Sequence, residues 1–127
     1  MPFARLTLIP VQRSSVVQRL TDDLTALIAA DLGKRHELTA VLVETPDPVR
    51  WTIGSEAHEV AAHLEVCVTN GTNTDAEKRR FVGNAMNLLR QTMPTLATAT
   101  YVVVKELPAN NWGYDGETQT ARAMIGR

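Results

Sequence analysis

The chain says nearly the same thing twice, and that repetition limits its fold more than any single motif does. Residues 2 to 9, "PFARLTLI", alternate apolar and polar side chains as a half-buried strand does. Residues 14 to 32 follow with Val17, Leu20, Leu24, Leu27 and Ile28 at helical spacing, and Ser14 or Ser15 stands where a cap is needed. Gly33 is placed to stop that helix, and "LTAVLVET" (38 to 45), rich in β-branched residues, gives a second strand before the breaker "PDP". The order then recurs. "AHLEVCVT" (62 to 69) is a strand, "NGTN" a loop, and Thr74 with Glu77 has capping-box spacing at the head of a helix. That helix carries Phe81, Ala85 and Leu88 or Leu89, and Pro94 ends it just after Met93. "TYVVVKEL" (100 to 107) closes the second unit. Even the tails align, "VRWTIGSE" (49 to 56) on "NNWGYDGE" (110 to 117), which puts Trp51 on Trp112, the chain's only two tryptophans.

A strand, a helix and a further strand make a βαβ crossover, because parallel strands need a connection of a dozen or more residues. Two such units give an α+β fold, a four-stranded mixed sheet with both helices on one face. The expected division is a single domain, residues 1 to 127, with repeat one at 2–56, repeat two at 62–117 and a C-terminal tail at 118–127. Segments such as "AVLV" and "YVVV" put apolar residues on both sheet faces, so the face away from the helices is expected to be covered by assembly into an oligomer.

Charge and cysteine narrow the function. With 13 Lys and Arg against 14 Asp and Glu, and no basic segment interleaved with aromatics, nucleic acid is not an expected partner. Cys67 stands alone, which excludes an intramolecular disulfide, and it is expected as a buried reduced thiol in a cytoplasmic protein. No run approaches the ~18 apolar residues of a membrane span, and no membrane partner is expected. His36, His58, His63 and Cys67 have no metal-ligand spacing, so no metal and no cofactor is expected.

Pro2 is the residue the repeat leaves unexplained. The second unit forms its strand from "AAHLEVCVT" without a proline, so strand formation does not require one. What only the first strand can offer is a chain end. If Met1 is removed, the nitrogen of Pro2 becomes a secondary amine, and desolvation or nearby cations would bring its pKa toward neutrality, where a general base works best.

A duplicated βαβ chain that starts Met-Pro and carries an aromatic-Gly tail after each unit resembles the tautomerase superfamily, the group of 4-oxalocrotonate tautomerase and macrophage migration inhibitory factor. The two tails resemble the former, and "LGKRHELTAVLVETPDP" resembles the latter. The resemblance implies a homotrimer with its helices outside, acting without a cofactor as a keto-enol tautomerase on a small carboxylated substrate. Pro2 would be the catalytic base and acid. Lys34 or Arg13 would hold the carboxylate, Tyr101 from a neighbouring subunit or a backbone amide would stabilise the enolate, and Trp112 would line the pocket. A decarboxylase or hydratase of the same superfamily is an alternative, disfavoured because the loop "TNGTN" (69 to 73) lacks the arginines of the superfamily's dehalogenases and decarboxylases; a non-catalytic trimer of the same fold is another. Asn70 or Asn73 could bond a substrate carbonyl, although turn formation is the commoner use of Asn-Gly.

Overall fold

The computed structural model describes residues 2–124. Strand β1 (Phe3–Ile9) leads to helix α1 (Ser14–Leu32), then to β2 (Ala40–Glu44) and a small hairpin of β3 (Thr52–Ile53) and β4 (Glu56–Ala57). The sequence of elements repeats as β5 (Ala61–Thr69), α2 (Asp75–Thr92), β6 (Tyr101–Leu107) and the hairpin β7 (Gly113–Tyr114) and β8 (Glu117–Thr118). A last helix, α3 (Gln119–Met124), falls where only a tail was expected.

The main sheet runs β2-β1-β5-β6. Each unit pairs its own strands in parallel, and β1 meets β5 antiparallel, with Phe3 opposite Cys67 and Ile9 opposite Ala61. The units are therefore head to tail, and the start of β1 lies at the same end of the sheet as the close of β5 and β6. One face carries the core: Ala4, Leu6 and Leu8 of β1 and Leu64, Val66 and Val68 of β5 pack against Leu20, Leu24 and Ile28 of α1 and Phe81, Ala85 and Leu89 of α2.

The helix ends follow from local chemistry. Gly33 takes the left-handed conformation (φ 67°) and donates its amide to Ala29, so α1 stops there. Thr74 and Glu77 form the reciprocal capping box that opens α2. The cap of α1 differs from expectation. Ser14 is already helical, and Arg13 occupies the cap position with no side-chain bond to the helix. The two helices are joined by buried Asp31, which accepts from Asn84 Nδ2 at 2.9 Å and faces Arg80 Nε at 3.4 Å.

The open sheet face is less apolar than the strands suggested. Phe3, Leu42 and Tyr101 are exposed there, but Arg5 faces Glu44 at 3.7 Å and His63 meets Glu65 on the same side. Strand alternation is the reason, since Val41 and Val43 turn their side chains to the core and leave Ala40 and Leu42 outward. Cys67 also falls on this face, half-buried, between inward-facing Val66 and Val68.

Candidate active site

Pro2 is buried and lies immediately before β1, where its carbonyl accepts from the amide of Ala40 at 3.3 Å. Beside it is a cavity of about 380 Å³, walled by Phe3, Leu38, Ala40 and Cys67 and closed by the second tail. Trp112, Tyr114 and Gln119 supply that last wall. The tail is held in place by local turn chemistry: Asp115 and Gly116 both take positive φ, as a tight two-residue hairpin requires. At Gly113 a side chain would strike the backbone of Glu117, so only glycine lets the two arms of the hairpin close. Trp112 Nε1 donates to Thr69 Oγ1 at 3.2 Å, which fixes the indole against the end of β5.

Polarity enters this apolar chamber from α3. Gln119 Nε2 is buried and has no hydrogen-bond partner among the described residues, and Gln119 is on the cavity wall. Leaving a buried donor unpaired costs about 1–3 kcal/mol, so a ligand oxygen here would find a group already desolvated. Behind the wall, Arg122 stacks its guanidinium 3.7 Å from the ring centre of Tyr114 and donates to the Tyr114 carbonyl at 2.9 Å. No Lys or Arg among the described residues is itself on the wall.

The residues expected at this site divide between the two ends of the sheet. Trp112 lines the cavity with Pro2. Lys34 is at the same end but off the wall: its half-buried ammonium donates to Thr72 Oγ1 at 2.8 Å, and burial pushes its pKa down while Glu77 partly opposes the shift. Arg13 stands at the far end, beyond the close of β1. Tyr101 also stands there, opposite His63, and is 66% exposed. Within one chain neither can reach Pro2; only a second copy could supply them. Asn73 is committed elsewhere, its amide donating to the Leu32 carbonyl at 2.9 Å, so it is not a free substrate donor. Among the described residues no three His, Cys, Asp or Glu side chains gather as metal ligands, and no helix is long and apolar enough to cross a membrane.

Gln119 is the residue the sequence reading did not find. It stands two residues past the aligned tail, but no periodic pattern marks it.

No family model matches the chain, and no curated protein matches it either. Solved structures do. The fused 4-OT wild-type asymmetric trimer superposes with a TM-score of 0.85 at 17% identity, covering 98% of this chain and 99% of that one. Pt0534 inactivated by 2-oxo-3-pentynoate gives a TM-score of 0.85 at 11% identity over the same shares of the two chains. The macrophage migration inhibitory factor-like protein of Entamoeba histolytica gives 0.78 at 20% identity, over 92% of this chain and 97% of that one. The duplicated βαβ chain, with its proline at the head of the first strand, therefore has the fold shared by fused 4-OT and the macrophage migration inhibitory factor-like protein.

Proposed function

We propose that the chain is a cofactor-independent tautomerase that moves a proton between carbon and oxygen of a small keto or enol carboxylic acid. The observation that carries this reading is the placement of Pro2, buried at the mouth of β1 beside an apolar cavity large enough for such a molecule. With Met1 removed, the Pro2 nitrogen is an amine among Phe3, Leu38 and Trp112. Burial in that setting disfavours its protonated form, which makes it a base near neutral pH. The amine takes the proton from one end of the enol system and returns it to the other. Gln119 donates to the substrate's carbonyl or carboxylate oxygen, and Trp112 and Tyr114 hold its flat body. Lys34, at the same end, draws the anion toward the cavity mouth.

One relative of the same fold is a trimer, and we propose the same assembly here. A trimer would cover the exposed Phe3 and Leu42 and could bring Arg13 and Tyr101 of a second copy to the Pro2 cavity. The protein would work in the cytoplasm, on a small carboxylated molecule.

A second reading rests on Lys34. Its bond to Thr72 brings a cation to the very loop that has none of its own, and hydration or decarboxylation of an unsaturated acid would use a cation there. Ketonisation of phenylenolpyruvate, followed by ultraviolet absorbance on protein shown by mass spectrometry to lack Met1, separates the readings. The tautomerase proposal expects turnover in the native chain and its loss in Pro2→Ala. A native chain inert on enols yet active on 3-haloacrylates overturns it.

A further inference from the structure

The strand ladders of the two repeats can be laid on each other rung by rung. Phe3 opposite Ala40 opens the first parallel ladder and His63 opposite Tyr101 opens the second. By that register Pro2 corresponds to Ala62 and Leu38 to Ala99, and the aligned tails put Trp112 on Trp51. A cavity of about 340 Å³ lies at the far end of the sheet, and its wall is made of these very counterparts: Ala62, His63, Ala99, Tyr101 and Trp51. The Pro2 chamber thus has a twin that was built from the other repeat and has no proline.

The twin has different chemistry. Where the Pro2 cavity has Phe3 and Ala40, this one has an imidazole and a phenol. His63 Nε2 is 2.9 Å from Glu65 Oε2, which fixes the ring, and His63 with nearby Lys105 and Arg5 holds the Glu65 carboxyl below its ordinary range. Trp51 and His63 also border an adjoining hollow of about 310 Å³ that includes Arg50. Arg50 ends a short turn held by Asp47, whose carboxylate accepts from Val49 N and whose carbonyl accepts from Arg50 N. Its guanidinium has no ion pair and no hydrogen bond among the described residues. A planar fork with free donors beside an indole face is suited to a flat carboxylate.

We propose that this second cavity, together with the adjoining hollow that Trp51 and His63 share with it and that Arg50 borders, is a separate binding site for a small planar carboxylate. Arg50 takes the carboxylate, Trp51 stacks on the conjugated or aromatic body, and His63 bonds a further oxygen where the ligand has one. The site needs no N-terminal amine and does not depend on Pro2.

The two tryptophans allow each cavity to be read alone. In Trp112→Phe the only tryptophan left is Trp51, and benzoate should change its emission, excited selectively beyond the tyrosine band, saturably, while the uncharged benzamide should not. Adding Arg50→Ala should weaken the benzoate effect roughly tenfold or more, the scale of a lost charge-assisted bidentate contact. Equilibrium dialysis of radiolabelled benzoate with the otherwise native chain gives an independent count, which decides the matter if Trp112→Phe does not fold. It should find a site that Arg50→Ala loses and Pro2→Ala keeps. Arg50→Ala should retain phenylenolpyruvate turnover within about twofold, since Arg50 is not on the Pro2 wall. No benzoate effect at Trp51, or binding that Arg50→Ala leaves unchanged, overturns the site. So does a parallel loss of turnover in Arg50→Ala, because the two cavities would then be one. A native chain with no turnover but with Arg50-dependent benzoate binding would sink the tautomerase reading and leave this one standing.

Discussion

The cavity at Pro2 and the cavity at Trp51 are made from matching pieces of chain at opposite ends of one sheet, yet their walls share little chemistry. At the first, aliphatic and aromatic side chains surround a backbone nitrogen, and one unpaired amide supplies polarity. At the second, Ala62 replaces the proline in mid-chain, where the nitrogen is an amide, and His63, Tyr101 and neighbouring Arg50 carry the polarity instead. The difference shows how a duplicated scaffold can keep its geometry while its chemistry separates. A strand, a hairpin and a tryptophan are specified locally and can be made twice. A chain end occurs once.

The largest expected effect is one that should not distinguish the cavities. Phe81 is fully buried between α2 and the sheet, in the core shared by both repeats. Phe81→Ala should cost about 3–5 kcal/mol of stability, read as a fall in the denaturant midpoint. If turnover and benzoate binding disappear at the same denaturant concentration, both sites depend on the one core; separate losses would mean that the repeats unfold apart.

Gly113 and its counterpart Thr52 should separate them. Gly113→Ala forces a methyl group onto the Glu117 carbonyl and should open the hairpin that walls the Pro2 cavity, at a cost of about 1–3 kcal/mol. Phenylenolpyruvate turnover should fall while benzoate binding at Trp51 persists. Thr52→Ala removes an exposed side chain from the other hairpin and should leave turnover unchanged.

The smallest effect concerns acid stability at the Pro2 end. Backbone N–H donation from Thr74, and then the Asn73 amide, hold the Glu77 carboxyl below its ordinary range. A carboxylate with a depressed folded pKa stabilises above its unfolded value, and that contribution is lost as pH falls through the folded value. The melting temperature should therefore decline as pH drops below the usual carboxylate range, and less steeply in Glu77→Gln. Equal slopes would remove Glu77 from the account of how the Asn73 loop is held.

Much of this arrangement was legible in the residues because it is set by local rules. Gly33 and the Thr74–Glu77 pair mark helix ends by their own backbone chemistry, and alternation along β1 and β5 gives the buried face. The internal repeat exposed the two tails, and with them Trp51 and Trp112. What local rules do not carry is direction. Arg13 and Tyr101 resemble site residues in sequence, but the run of β1 carries Arg13 away from Pro2, and the antiparallel meeting of β1 and β5 sends Tyr101 to that same far end. Gln119 was hidden for a related reason. Its role depends on the β7–β8 hairpin bringing Gln119 to the cavity that Pro2 and Phe3 of the other repeat line, a long-range placement that no spacing within α3 reports.

The central claim is that only one of two matched cavities holds a reactive nitrogen. Treating Met1-free protein with 2-oxo-3-pentynoate and mapping the adduct by mass spectrometry tests it directly. The account predicts one adduct per chain, on Pro2, with phenylenolpyruvate turnover lost in step with labelling. Labelling of Cys67 with Pro2 untouched, or full turnover by a chain that carries the Pro2 adduct, would contradict it.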